Sequence, residues 1–68
     1  MIAERIAEYV ISKGIKQKTL AEAIGISPVS MSETLRGNRT LTAEEYVDIC
    51  NFLEVPYSKF VSNERKAS

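Results

Sequence analysis

The feature that most constrains this chain is a very short interruption between two helical segments. Gln17 to Ile24 has the apolar spacing of a helix, and a second helix start follows after only two residues. At that start Ser27 is a favoured N-cap residue, and Pro28 suits the first helical position, where its missing N–H costs no hydrogen bond. Gly25 supplies the turn, since it has no side chain to resist a left-handed backbone. The sequence therefore predicts two helices joined by a tight turn, the second running to about Arg36.

Helical spacing of apolar residues predicts three more helices around this unit. The first ends at Gly14, the fourth starts at a capping box formed by Thr42 and Glu45, and the fifth starts at Pro56. No segment has the pattern of a strand. The apolar residues of these helices are Ile2, Ile6, Tyr9 and Val10 in the first, Tyr46, Ile49, Cys50 and Leu53 in the fourth, and Tyr57, Phe60 and Val61 in the fifth.

The length and composition fit one small domain. The chain has 68 residues, of which 26% are charged and 44% are hydrophobic, as is usual for a globular protein. We expect a compact all-α domain of five helices over residues 1–61, followed by a polar, frayed tail over residues 62–68. A core of this size gives only marginal stability, which favours association into a dimer.

The residue types exclude several classes of site. With no His and a single cysteine, Cys50, the chain cannot assemble a zinc site, an intramolecular disulfide or a Cys–His catalytic pair. We therefore predict that it is not an enzyme and has no metal, no cofactor and no evident small-molecule ligand. Cys50 is expected to be buried and reduced. Charged residues interrupt the apolar N-terminus, so neither a signal peptide nor a membrane span is predicted, and the expected location is the cytoplasm.

Charge is distributed unevenly along the chain, although the net charge is zero. Residues 13–40 carry five basic residues against two acidic ones, whereas residues 41–63 carry four acidic residues against one basic residue. Zero net charge argues against an obvious nucleic-acid-binding protein, but the distribution is more informative than the sum. We expect a dipolar molecule whose basic segment includes the two helices joined by the turn.

The segment QKTLAEAIGISPVSMSETLRG, residues 17–37, resembles the helix-turn-helix of the lambda-repressor/Cro-type family, also called XRE-type regulators. The resemblance extends over about nine-tenths of the chain. Two positions depart from the family pattern: Thr34 stands where an apolar residue is usual, and Leu35 stands where an acid is frequent. We expect Leu35 to take over part of the inward packing. The matching positions are Gln17, Leu20, Ala21, Gly25, Ile26 and Met31, the Arg36-Gly37-Asn38-Arg39 exit, and the segment LEVPYSKF at residues 53–60.

This resemblance implies a sequence-specific DNA-binding transcriptional regulator, expected to be a repressor from a phage, a prophage, a plasmid or a bacterial chromosome. Helix three, about residues 28–36, would lie in the major groove of a pseudo-palindromic operator, with the protein acting as a homodimer on double-stranded DNA. The positions implied to face bases are Pro28, Val29, Ser32 and Glu33. Those implied to contact the DNA backbone are Gln17, Lys18, Ser27, Arg36, Asn38, Arg39 and Thr40. The implied dimer interface includes Tyr57, Phe60 and Val61.

The implied base-facing positions contain none of the Arg, Lys, Gln or Asn side chains that make bidentate base contacts. Val29 could contact a thymine methyl group or could simply be exposed. Glu33 could accept a hydrogen bond from cytosine N4, orient a neighbouring base or remain solvated. Arg36 could reach a phosphate, which we favour, or a guanine, or it could pair with Glu33 or Ser32. Three lysines surround Gln17, and at least one is expected to contact the DNA backbone: Lys13, Lys16 and Lys18.

Two other functions remain open at this point. The helix-turn-helix fold could serve as a protein-interaction module without DNA contact, which zero net charge and an amide-poor third helix favour. An antitoxin-type regulator would bind DNA through the same helices and a protein partner through another face. The second alternative needs a partner-binding segment, and residues 62–68 offer little length for one.

Overall fold

The structure is a computed structural model that describes residues 2–61. Those residues contain no strand, so the predicted all-α class is confirmed. Each helix in this part of the chain is too short or too polar to cross a membrane. The tail that we expected to be frayed, residues 62–68, lies outside the described residues. Residues 2–61 form four helices: α1 (Ile2–Ser12), α2 (Gln17–Ile24), α3 (Pro28–Leu35) and α4 (Ala43–Leu53).

The predicted fifth helix is wrong, because the residues that follow Pro56 form turns. Within residues 56–61, the backbone contains a single turn-type hydrogen bond, from the Lys59 N–H to the Pro56 carbonyl at 3.0 Å. A helix must fix several residues before hydrogen bonds offset the lost entropy, and so short a segment does not recover that cost. Phe60 is nevertheless only 2% exposed. Packing of this aromatic ring and the hydrogen bond from the Tyr46 hydroxyl to the Tyr57 carbonyl together hold the segment against the helices.

Local sequence signals set the helix ends as predicted. Ser27 Oγ accepts a hydrogen bond from the backbone N–H three residues later at 3.0 Å, and Pro28 occupies the first position of α3. In the capping box of α4, the Glu45 N–H donates to the Thr42 hydroxyl and the Thr42 N–H donates to the Glu45 carboxylate, both at 3.1 Å. Gly25 has a φ of +80°, so the turn between α2 and α3 uses the left-handed backbone region that favours glycine.

One apolar core joins the helices. Helix α2 packs against α3 and α4, and α1 packs against α3. Tyr9 and Tyr46 meet the Phe60 ring edge-on, with centroid separations of 5.6 and 6.4 Å, which ties the residues after α4 to α1. Cys50 is buried and free, as predicted. The buried apolar residues are Ile6, Val10, Leu20, Ala21, Met31, Leu35, Ile49, Cys50 and Phe60.

Candidate nucleic-acid interface

Helix α3 has one buried side and one side directed to solvent. Met31, Thr34 and Leu35 are 0%, 0% and 6% exposed, since they lie in the core. Val29, on the other side, is 72% exposed. Core packing therefore fixes which residues of α3 are available to a ligand. The four residues implied to face bases all retain exposed surface: Pro28 and Val29 are exposed, and Ser32 and Glu33 are half-buried.

The start of α2 carries polar side chains without partners among residues 2–61. Lys16 occupies the N-cap position, and its side chain makes no capping hydrogen bond. The side chains of Gln17 and Lys18 are exposed and form no hydrogen bond or ion pair with the described residues. The first N–H groups of α2 therefore have no side-chain acceptor there. These groups and the two lysines form a surface that suits a phosphate.

A Schellman motif ends α3 and brings Asn38 back to Glu33. The Asn38 N–H donates to the Glu33 carbonyl at 2.9 Å, and the Gly37 N–H donates to the Thr34 carbonyl at 3.0 Å. The φ of Gly37, +84°, permits this reversal. The side chains repeat the contact, since Asn38 Nδ2 donates to Glu33 Oε1 at 3.2 Å and Arg36 Nη1 donates to Glu33 Oε2 at 3.3 Å. Two residues implied to contact the DNA backbone are thus bonded to one implied to face a base.

Arg39, also implied to contact the DNA backbone, is bound within the protein. Its Nη1 and Nη2 donate to the two Glu45 carboxylate oxygens at 3.1 and 2.7 Å, and Nη1 also donates to Thr34 Oγ1 at 2.8 Å. Because Glu45 belongs to the capping box, these bonds tie the loop after α3 to the first turn of α4. The hydrogen bond lowers the pKa of Glu45 and raises the pKa of Arg39. The Arg39 side chain remains 33% exposed, so its contact with a phosphate stays a prediction.

Two further residues implied to contact the DNA backbone, Ser27 and Thr40, differ in how far they are already engaged. The Ser27 hydroxyl accepts from the Ser30 N–H and donates to the Ser30 hydroxyl, both at 3.0 Å. Thr40 is exposed, and its side chain forms no hydrogen bond with the described residues. A phosphate contact by Ser27 would therefore be added to its role in starting α3, whereas the Thr40 hydroxyl is not engaged by any other described residue.

The three residues implied at a dimer interface are divided between the core and the surface. Phe60 is 2% exposed and belongs to the chain's own core, whereas Tyr57 and Val61 are 53% and 38% exposed. The Tyr57 hydroxyl donates to Asn51 Oδ1 at 2.9 Å, which fixes the ring near the end of α4. An interface at this place would use Tyr57 and Val61, with Phe60 supporting them from inside the protein.

Two contacts near this surface were not predicted from the sequence. Thr34, which departs from an apolar family position, donates its hydroxyl to the Ser30 carbonyl at 2.8 Å and accepts the hydrogen bond from Arg39. Its polar atom is therefore satisfied although the residue is fully buried. Arg39 and Glu45 are six residues apart across a loop, where no helical spacing indicates a pair. The capping box identified Glu45, but only the folded loop places Arg39 beside it.

A family model described as helix-turn-helix matches residues 6–60 of the chain. The matched residues include all of α2, α3 and α4 and most of α1. No curated protein and no solved structure matches the chain.

Proposed function

Because the chain belongs to the helix-turn-helix family of the XRE/lambda-repressor type, we propose that it is a sequence-specific DNA-binding regulator that represses transcription. In the proposed complex α3 lies in the major groove of double-stranded DNA, and two chains bind a pseudo-palindromic operator. The outward face of α3 carries this proposal. It is exposed on a helix whose opposite side is fixed in the core and which packs against α2.

The side chains on this face suit base contacts of limited specificity. Val29 is 72% exposed and fits contact with a thymine methyl group. Ser32 can donate or accept a hydrogen bond, and Pro28 can contact the groove by shape alone. Bidentate base contacts need side chains that these positions lack. Sequence-dependent DNA shape would supply further discrimination, and we expect modest affinity per subunit that dimerisation increases.

Phosphate contacts would provide most of the affinity. The start of α2 offers the exposed Gln17 and Lys18 side chains, which have no other partners among residues 2–61. Beyond α3, the Arg36 side chain is 67% exposed and keeps N–H groups free besides the one that reaches Glu33. The two places lie at the two ends of the helix-turn-helix, so contacts at both would fix its orientation on the duplex.

Titration with mixed-sequence duplex DNA at about 50 mM salt tests DNA binding itself. We expect binding whose log affinity falls linearly with log salt, by about 0.9 for each phosphate neutralised. Absence of binding at low salt would contradict the proposal. It would favour the alternative in which the fold serves only to bind another protein.

Selection from a random duplex pool tests the placement of α3. The control is well matched, because Val29 and Ile11 are each 72% exposed and only Val29 lies on α3. We expect Val29→Ala to weaken a thymine preference at one position of each half-site, because the smaller side chain reaches the methyl group less well, and Ile11→Ala to leave the selected sequences unchanged. Loss of preference with both variants, or with neither, contradicts the placement. Selected sites without two-fold symmetry contradict the proposed dimer.

A further inference from the structure

We infer that Glu33, Arg36 and Asn38 form one recognition unit, in which Glu33 accepts a hydrogen bond from a cytosine and the other two residues hold its carboxylate in place. The inference rests on the proposed function, since it names the base that the outward face of α3 recognises. It changes the roles of Arg36 and Asn38 from backbone contacts alone to positioning residues for a base contact.

The backbone builds this unit before any DNA is present. Asn38 returns to Glu33 through the Schellman motif, in which the Asn38 N–H donates to the Glu33 carbonyl at 2.9 Å. The side-chain bond from Asn38 Nδ2 to Glu33 Oε1, at 3.2 Å, spans the same two residues. Arg36 lies three residues after Glu33 and thus on the same side of the helix end. Two residues from different parts of the helix terminus therefore converge on one carboxylate.

Each carboxylate oxygen of Glu33 receives one of these donors. Oε1 accepts from Asn38 and Oε2 accepts from Arg36. Such an arrangement restricts rotation about the last side-chain bond of Glu33. The Glu33 side chain is still 39% exposed, so the carboxylate is held and remains accessible to a ligand.

Arg36 also reduces the electrostatic repulsion that opposes placing an acid in the major groove. DNA phosphates repel a free carboxylate, but the Arg36 guanidinium at 3.3 Å offsets the charge of Glu33. A carboxylate has about four lone-pair sites, so about two remain after these hydrogen bonds. Cytosine presents its N4–H donor in the major groove, and a carboxylate is the side-chain acceptor suited to it. The unit as a whole is thus a neutral acceptor.

Selection from a random duplex pool with four proteins tests this assignment. The wild-type protein should select a C·G pair at one fixed position of each half-site. Glu33→Gln should weaken that cytosine preference on the order of tenfold and favour adenine there, because a glutamine amide can pair with adenine. Asn38→Ala should broaden the same position without introducing adenine, because it frees the carboxylate and leaves the acceptor intact. Glu22→Gln, an equal change of charge at an exposed position of α2, should leave the preference unchanged.

A modified base provides an independent test on the selected duplex. N4-methylcytosine at the fixed position places a methyl group where the major-groove N4–H would be. We expect this substitution to reduce binding of the wild-type protein on the order of tenfold and to have little effect on Glu33→Gln. The same modification at a cytosine outside the half-site is the control.

The possible failures are distinguishable. If no duplex binds in a salt-dependent way, the proposed function itself is wrong. If duplexes bind but Glu33→Gln keeps the wild-type preference, the DNA-binding function stands and Glu33 does not contact a base. If Glu33→Gln changes the preference but Asn38→Ala does not, Glu33 acts alone and the unit is refuted. A circular dichroism spectrum of each variant checks that its helices are intact.

Discussion

The two ends of the helix-turn-helix carry similar polar and basic residues but use them differently. At the start of α2, the side chains of Lys16, Gln17 and Lys18 make no hydrogen bond or ion pair with residues 2–61. At the exit of α3, the Arg36 and Arg39 side chains are bonded to carboxylates of the same chain. A count of charges along the sequence makes the two ends look equivalent. The structure shows that the basic side chains at the start of α2 have no partner among residues 2–61, whereas those at the exit of α3 are ion-paired.

This difference predicts that the two ends of the helix-turn-helix contribute differently to DNA binding. Free cations at a helix start gain most from a phosphate, because they give up only water and counterions to bind it. A cation already paired with a carboxylate must share its donors or exchange its partner. We therefore expect the exit of α3 to contribute mainly geometry to DNA binding, and the start of α2 to contribute mainly electrostatic affinity. The following predictions test this comparison, from the largest expected effect to the smallest.

The largest effect should come from the start of α2. The double variant Lys16→Ala/Lys18→Ala removes two free cations from each chain. It should lower the salt slope of DNA binding by about 1.8 per bound chain, which corresponds to a loss of affinity on the order of a hundredfold per chain at about 0.1 M salt. Its thermal midpoint should stay close to that of the wild-type protein, since neither side chain has a described partner. Fluorescence anisotropy over a salt series measures the slope. A smaller change than that caused by Arg39→Ala would reverse the comparison.

The next effect should be on stability at the exit of α3. Glu45→Ala removes half of the capping box and both carboxylate oxygens that hold Arg39. Loss of one capping hydrogen bond costs about 1 kcal/mol, which lowers the thermal midpoint of a domain this small by about 4–8 °C, and the lost pairing adds to it. The neighbouring acid Glu44 is exposed in the same helical turn, so Glu44→Ala is the matched control. Equal midpoints for both variants would show that neither the capping-box bond of Glu45 nor its contact with Arg39 adds measurable stability.

A smaller effect is expected at the Schellman motif. Gly37 has a φ of +84°, and alanine in that backbone region costs about 1 kcal/mol. Gly14 has a φ of +72° and open space around it, so Gly14→Ala should cost a similar amount by thermal denaturation. Only Gly37→Ala should also broaden the selected DNA sequence, because it disturbs the return of Asn38 to Glu33. If both variants select the same DNA sequences, the Schellman motif has no effect on base recognition.

The smallest effect is expected from protonation of Glu45. The hydrogen bond from Arg39 lowers the pKa of Glu45 in the folded protein, so its contribution to stability is present at neutral pH and is lost as the pH falls through that lowered pKa. Denaturation measured between about pH 7 and pH 2 should therefore show stability falling below about pH 4. Glu45→Gln should fall less steeply over the same window. Parallel curves would assign the acid sensitivity to other carboxylates.

Much of the fold was predictable, because the signals that set it are local. Ser27 and Pro28 start α3, and Thr42 with Glu45 starts α4, through bonds within one helical turn. The inward packing expected of Leu35 is also observed, since this residue is 6% exposed. The fifth helix was predicted from the same kind of spacing, and that prediction was wrong. Two or three apolar residues at helical intervals do not make a segment long enough for its backbone hydrogen bonds to offset the cost of starting a helix.

The outward positions of α3 were also predictable from the sequence. The hydrogen bonds that Arg36 and Asn38 form with one of these positions, Glu33, were not. Arg36 had several open alternatives in the sequence, and the structure pairs it with Glu33. Helical spacing placed those two residues within reach of each other. It did not predict that Asn38 bonds to the same carboxylate, because that contact depends on the reversal of the chain after α3.

The sequence by itself determined the helix-turn-helix frame, because caps, glycine turns and apolar spacing act over a few neighbouring residues. Tertiary structure alone decided which polar groups remain free for DNA. Arg39 meets Glu45 only after the loop between α3 and α4 has closed, and Phe60 meets Tyr9 only after the chain end has folded back onto α1. Contacts between such residues depend on loop closure and on the shape of the packed core, which no local pattern in the sequence contains.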